Sequence, residues 1–490
     1  ERTEEHPFVI GGGPCVYNTE PIADFFDFFV LGDGEEVVVD ICDALIAWKK
    51  EGRPGGRRGF LRRVVRISGV YAPSFYTPEY DAAGMFIGLR ALDETAPPQI
   101  YRRVVKDLDA TPFLEKPVVP YLGIVHDRLM LELFRGCTRG CRFCQAGNVY
   151  RPQREHSVDY LKRYSEKLLK ITGNEEISLS SLSSSDYSHL QEFLEYLIQY
   201  TKERKINISL PSLRIDAFSL DVMERIQDVK KSSLTFAPEA GTQRLRDVIN
   251  KGITEEDIMR GVSSAFHGGW TKVKFYFMLG LPTETEEDRK GIPDLCEKVA
   301  DLFYDEIPKS ERVGRVQISA SSSFFVPKPF TPFQWAPMCT AEEYKERAHF
   351  VKETFKQEKN WKSLRYQYHD VGTTLMEGVF ARGDRRVADV IERAYRDGAM
   401  YDAWTEYFDE TRWANAFAAC AVDPEFYTRR ERSTEELLPW DFIDCGVSKE
   451  FLKREWNNAL QEKVTPNCRE HCSGCGATSY QGGVCFENKN

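Results

Sequence analysis

Three cysteines define the chemistry this sequence can do. Cys137, Cys141 and Cys144 fall within Arg135-Gly-Cys-Thr-Arg-Gly-Cys-Arg-Phe-Cys-Gln-Ala-Gly147, a glycine-punctuated stretch that follows the apolar run Leu131–Phe134. Thiolates hold iron–sulfur clusters, and a four-iron cluster has four irons to ligate. Three closely spaced thiols therefore leave one iron open to an outside ligand. A zinc site usually pairs C-x2-C units or adds histidines, and no histidine lies in this stretch. A disulfide needs an even partner and an oxidising compartment. A cluster is the expected occupant. The tail repeats the pattern: Cys468-Arg-Glu-His-Cys-Ser-Gly-Cys475 has the same x3, x2 spacing, and Cys485 follows in Gly-Gly-Val-Cys. Cys468, Cys472, Cys475 and Cys485, with His471 among them, suit either a second [4Fe-4S] cluster or a four-thiolate zinc knot. So short a tail has little core of its own, and metal would also stabilise it.

The C-x3-C-x2-C spacing, with the aromatic Phe143 just before the last cysteine, resembles the signature of the radical SAM superfamily. The resemblance implies that Cys137, Cys141 and Cys144 hold a catalytic [4Fe-4S] cluster whose open iron chelates S-adenosylmethionine. One electron, from a donor such as flavodoxin or ferredoxin, then cleaves the sulfonium to a 5′-deoxyadenosyl radical.

Such a loop needs a scaffold. Strands are expected near Leu131–Phe134, Ile177–Leu179, Ile206–Leu210, Ser233–Ala237, Val273–Leu279 and Arg315–Ala320. Stretches with helical spacing alternate with them: Tyr160–Leu169, Leu190–Tyr200, Leu220–Ile226, Ile253–Phe266, Glu287–Phe303 and Glu342–Phe355. Six strand–helix units predict an α/β fold, a partial (β/α)6 TIM-like barrel, whose strand ends carry the site. Each expected strand ends in a polar or Gly–Pro cluster. Ser181, Ser183 and Ser184 after the second strand are candidates to hydrogen-bond the methionyl group of S-adenosylmethionine. Ser212 and Arg214 share one side of the third strand, and Arg214 suits a bidentate carboxylate contact. Glu239 suits ribose hydroxyls. Phe236-Ala-Pro-Glu-Ala-Gly-Thr-Gln-Arg244 resembles a segment of radical SAM proteins that carry a cobalamin-binding domain. Phe277-Met-Leu-Gly-Leu-Pro-Thr-Glu is similar to their fifth-strand motif, which implies that the backbone at Leu281 borders the adenine. Phe143 joins the cofactor-binding set on the same resemblance. Phe325-Val-Pro-Lys-Pro-Phe330 resembles the segment that closes the barrel in that group and in methylthiotransferases.

Upstream, Gly11-Gly-Gly-Pro14 and Gly32-Asp-Gly-Glu-Glu36 resemble the second half of a cobalamin-binding domain. The Asp-x-His-x-x-Gly cobalt-ligand motif of a complete domain is not among these residues, which leaves cobalamin open. Glu1 falls almost directly on an apolar strand, as expected of a chain lacking an N-terminal portion. Residues 1–50 are read as this partial doubly wound sheet, 51–125 as a connector with short strands, and 126–345 as the barrel. Residues 346–460 are read as a helical region and 461–490 as the cysteine-rich tail. Within the connector, Arg53, Arg57, Arg58, Arg62, Arg63 and Arg66 form either a solvated linker or an RNA or anion site. Trp404, Tyr407, Phe408 and Trp413 have helix-compatible spacing and read as core. His369 and Asp370 read as structural.

Over 490 residues, 42% hydrophobic and 29% charged content is that of a soluble globular chain. No apolar run is long enough for a membrane span. A net charge of −10 argues against a surface that coats nucleic acid. Thirteen cysteines without a secretory signal fit metal and redox work in a reducing cytoplasm. The expected function is a radical SAM enzyme acting by methyl transfer or sulfur insertion on RNA, protein or a small molecule. The alternative is a non-catalytic iron–sulfur or zinc protein bound to RNA or the ribosome.

Overall fold

The computed structural model describes residues 2–111, 114–210, 214–215, 234–312 and 314–483. The expected Ser212, Cys485 and the helix near Leu220–Ile226 lie outside the described residues.

Two parallel sheets form the centre. In the first, Glu176–Ser180 lies between Leu129–Glu132 and Asn207–Ser209, with Ile177 opposite Leu129 and Ile208. The second runs in sequence order through Leu234–Glu239, Lys272–Leu279, Gln317–Phe324 and Leu364–Tyr368. Lys272–Leu279 shows why these segments are strands: Val273, Phe275, Phe277 and Leu279 are buried at alternate positions, a period-2 pattern of β-formers. Helices cover the sheets. Val158–Thr172, Leu190–Lys202, Glu255–His267, Glu286–Glu306 and Ala341–Phe355 match the expected amphipathic stretches within a few residues. Three of them start at capping boxes, Thr254 with Asp257, Thr285 with Asp288 and Thr340 with Glu343, which fix the helix entry. The α/β class and its parallel sheets are as expected.

Leu364–Tyr368 corrects the expectation of an essentially helical region after 346. Leu364, Tyr366 and Tyr368 alternate with Arg365 and Gln367, and the segment adds a parallel strand beside Gln317–Phe324. Five residues are too few for a helical period to assert itself. The aromatic set at 404–413 also divides. Trp413 is buried in the helix Glu410–Ala419, whereas Trp404 and Tyr407 lie outside it, 62% and 57% exposed.

Part of the arginine-rich stretch is helical. Gly56–Val64 is a helix, and its charges are paired within the chain. Arg57 pairs with Asp27 (2.8 Å), Arg58 and Arg62 share Asp93 (2.7 and 3.0 Å), and Arg63 pairs with Glu51. Arg57 also lies over the Phe8 ring and Arg58 over Phe75.

The two ends of the chain build one core. Phe28, Phe29, Tyr71 and Phe75 from the N-terminal part cluster with Trp440, Phe451, Leu452 and Trp456 from the C-terminal part. Ile100–Tyr101 pairs in parallel with Ile443–Asp444. Cys475 and Ala477 of the tail belong to the same core.

Candidate active site

The cysteine loop is pinned at its base. Phe134–Arg135, which follows the first parallel strand, pairs antiparallel with Arg154–Glu155, so residues 136–153 leave and return at one place. Gly136, at φ 97°, permits the exit, and a Cβ there would lie 2.7 Å from the Tyr150 carbonyl oxygen. Arginines anchor the base. Arg135 reaches Asp33 (2.9 Å), Glu35 (2.8 Å) and Glu132 (2.9 Å), while Arg154 also bonds Asp33. Asp33 and Glu35 belong to the Gly32-Asp-Gly-Glu-Glu36 motif, so this part of the cobalamin-like pattern is engaged in holding the cysteine loop. Burial raises the Asp33 carboxyl, but Arg154 and Arg135 outweigh it and hold the group below its usual range.

Cys137, Cys141 and Cys144 are all partly buried on this loop. The Arg139 N–H donates to Cys137 Sγ (3.4 Å) and the Gly147 N–H to Cys144 Sγ (3.3 Å). Burial pushes the Cys137 thiol up to about 12, with Cys141 and Cys144 adding to the rise and the Arg139 N–H opposing it. Burial likewise pushes Cys144 up to about 11, reinforced by Cys141 and opposed by the Gly147 N–H and Lys251. A bound metal would have to deprotonate these buried thiols, which the charge of a multivalent iron centre does. The all-sulfur donor set and the N–H···S bonds fit an iron–sulfur cluster. Among the described residues, no three His, Cys, Asp or Glu side chains already stand in metal-holding geometry.

Around the loop stand the other strand ends. Ser181 and Ser184 hydroxyls are 3.1 Å apart after the second strand. Ser183 and Ser184 are buried. Asp186, three residues on, takes a two-pronged contact from Arg139. Burial raises the Asp186 carboxyl, and Arg139 more than reverses this, leaving it below its usual range. The Arg214 backbone N–H donates to Ser185 Oγ (3.1 Å), and its guanidinium reaches the Gly252 carbonyl (3.1 Å). Leu281 is buried in the core, and its carbonyl accepts from the Glu284 N–H (3.1 Å). Phe143 packs partly buried against the same core.

Glu239 takes φ 68° at the end of the fourth strand and forms an ion pair with Lys251 at 3.2 Å. Lys251 Nζ also lies 5.9 Å from the Phe143 ring centroid. Burial raises the Glu239 carboxyl despite Lys251. For Lys251, burial opposes the charge, and Glu239 and Cys141 outweigh it, raising the pKa.

The turn Ile249-Asn-Lys-Gly252 is the feature that sequence reasoning missed. The Ile249 carbonyl accepts from the Arg142 N–H (2.9 Å), Asn250 Nδ2 donates to the Gly140 carbonyl (3.1 Å), and Lys251 meets Glu239. Asn-Lys-Gly after a short helix is a readable turn cue, but nothing in it announces that the turn clasps the cysteine loop. His369 is exposed, and Asp370 caps the helix Val371–Arg382 through the Thr373 N–H (2.8 Å).

The comparisons with known proteins agree with this geometry. Residues 131–296 match the family described as the radical SAM superfamily, and residues 1–73 match that described as radical SAM proteins, N-terminal. An uncharacterised protein of Methanocaldococcus jannaschii is 29% identical over 409 residues, covering 82% of this chain and 77% of its own length. A putative methylthiotransferase of the same organism is 27% identical over 165 residues, 32% of this chain and 36% of the relative. An uncharacterised methyltransferase of Pyrococcus horikoshii is 24% identical over 324 residues, 62% of this chain and 60% of the relative. The chain thus spans less than two thirds of the latter two relatives. The cysteine loop follows the first of a series of parallel strands, and the match to the radical SAM superfamily runs from that strand over residues 131–296.

Proposed function

We propose that this protein is a radical SAM enzyme that cleaves S-adenosylmethionine reductively and uses the product to modify a substrate by methyl transfer or sulfur insertion. The observation that carries the reading is that Cys137, Cys141 and Cys144 share one loop, pinned after the first parallel strand, while Ser181, Ser183, Arg214 and the Glu239–Lys251 pair lie at or just beyond the ends of the following strands. Cys137, Cys141 and Cys144 would hold a [4Fe-4S] cluster, which when bound supplies the electron that breaks the sulfonium C–S bond to give methionine and a 5′-deoxyadenosyl radical. Each residue around it has a task of its own. The Arg139 and Gly147 N–H groups stabilise the sulfur ligands. The Ser181 and Ser183 hydroxyls offer bonds to the methionyl amine or carboxylate. Arg214 is carried near by the Ser185 and Gly252 contacts, and Glu239, held in place by Lys251, is an acceptor for ribose hydroxyls.

The names of the M. jannaschii and P. horikoshii relatives support the methylthio- and methyl-transfer classes. Arg57, Arg58, Arg62 and Arg63, which could serve RNA in either reading, pair with carboxylates of the chain itself. Of the Gly32-Asp-Gly-Glu-Glu36 carboxylates, Asp33 and Glu35 are bound by Arg135 and Arg154, and Glu36 by Arg103.

Anaerobically reconstituted protein with dithionite and S-adenosylmethionine is expected to release 5′-deoxyadenosine, and a Cys144→Ala variant is expected to release none above background. Intact S-adenosylmethionine in the wild-type reaction, with the cluster present by absorbance, overturns the reading.

A further inference from the structure

The segment after the helix Lys449–Leu460 runs back across the cysteine loop and is bonded to it at successive positions. The Thr465 N–H donates to Asn250 Oδ1 (2.9 Å), and its carbonyl accepts from Asn250 Nδ2 (3.0 Å), the same amide that reaches Gly140. The Cys468 N–H donates to the Thr138 carbonyl (3.0 Å). The Arg469 guanidinium reaches Glu155 (2.7 Å) and the Asp186 carbonyl (2.8 Å). Further on, the Ser448 N–H donates to the Cys475 carbonyl (2.9 Å). A second C-x3-C-x2-C stretch is therefore strapped to the loop that carries the first.

Arg151 connects the two. Its residue is 3% exposed, with Nε donating to the Gly147 carbonyl (2.9 Å) and Nη2 to the Arg139 carbonyl (3.1 Å). Nη1 is buried and makes no hydrogen bond of normal geometry. The Cys468, Cys475 and Cys137 thiols lie within electrostatic reach of this guanidinium, and Cys475 is also its side-chain hydrogen-bond partner. A buried cation with an unused donor is costly unless an anion completes it.

We propose that Cys468, Cys472 and Cys475 ligate a second [4Fe-4S] cluster on this strap, with Arg151 as its buried counter-charge. The thiolates and cluster sulfides supply the anion that Arg151 Nη1 lacks. The three donors grade inward, from exposed Cys472 through partly buried Cys468 to buried Cys475, so the site has an open mouth for assembly and a fixed floor. The spacing that wraps the first cluster is repeated residue for residue, and this favours iron–sulfur over a zinc knot, which shares the thiolate chemistry.

The test is metal counting on anaerobically purified, reconstituted full chain, with iron, acid-labile sulfide and zinc measured together. Wild type is expected to hold about eight irons and eight sulfides per chain, four for each cluster. A Cys137→Ala/Cys141→Ala/Cys144→Ala variant is expected to keep about four, which must reside in the tail. Cys472→Ser, a change at an exposed position, is expected to lose about four while still producing 5′-deoxyadenosine. About four irons in wild type and none in the triple variant overturn the proposal. One zinc per chain, lost in Cys472→Ser, overturns it in favour of zinc. The wild-type count stands even if a tail variant fails to fold. Eight irons without 5′-deoxyadenosine would sink the proposed activity and leave this site standing.

Discussion

The Glu239–Lys251 pair shows how one residue's charge is set by its surroundings. Each side chain is about 15% exposed, and neither meets enough water to hold its charge alone. Removing one partner should therefore cost more than removing both. Lys251→Met is expected to lower stability by about 3–5 kcal/mol, because it leaves a buried carboxylate uncompensated. Glu239→Gln combined with Lys251→Met is expected to recover part of that loss. Denaturant midpoints of the single and double variants check this, and a double-variant loss equal to the sum of the two single losses would show that the two residues are not coupled. Sequence reading singled out Glu239 by its place at a strand end. It could not single out Lys251, because a lysine twelve residues away becomes a partner only once the helix Gln243–Val248 folds the chain back.

Between elements, arginines serve as fasteners. Arg142 is fully buried, and one guanidinium joins the cysteine loop to Glu455 (3.1 Å) on a C-terminal helix, to the Val248 carbonyl (2.9 Å) and to the Lys463 carbonyl (2.6 Å). Arg142→Met is expected to cost about 3–5 kcal/mol, since Glu455 would stay buried without its cation. Thermal denaturation checks the size, and cluster retention is expected to fall with it. The helix Gly56–Val64 is fastened in the same manner through Asp93. Burial raises the Asp93 carboxyl, but hydrogen bonds from Thr95 and then from Arg62 and Arg58 bring it down to about 2. A carboxyl whose folded pKa is depressed stabilises the fold above its unfolded value near 4 and loses that contribution as pH falls through the folded value. The stability difference between wild type and Asp93→Asn is therefore expected to be full at neutral pH and to vanish between about pH 4 and pH 2. A difference that persists unchanged at pH 2 would show that Asp93 acts through packing alone.

At the scale of the whole molecule, the chain ends are interdependent. Trp456 meets the Phe333 ring edge-on at 5.8 Å and lies in the same core as Phe28 and Tyr71. Trp456→Ala is expected to cost about 3–5 kcal/mol and to lower the unfolding midpoint reported from the N-terminal part as much as that from the C-terminal part. Two separate transitions would show that the ends fold independently. No helix among the described residues is long and apolar enough to cross a membrane.

The sequence by itself put Cys137, Cys141 and Cys144 on one short loop, because C-x3-C-x2-C is a local pattern. It also determined most strands and helices of the central sheets, because periods of 2 and 3.6 are local too. Leu364–Tyr368 escaped because five alternating residues beside long helices carry a weak period. The tertiary structure alone decided what the arginines do. Arg57, Arg58 and Arg62 read as either a solvated linker or an RNA or anion site, and in the fold they pair with Asp27 and Asp93, about 30 residues away. It alone decided that the tail lies across the cysteine loop, since Cys468 and Thr138 are 330 residues apart and meet through a backbone hydrogen bond. Contacts of that separation leave no period and no spacing in the chain, and they form only where the folded ends share one core.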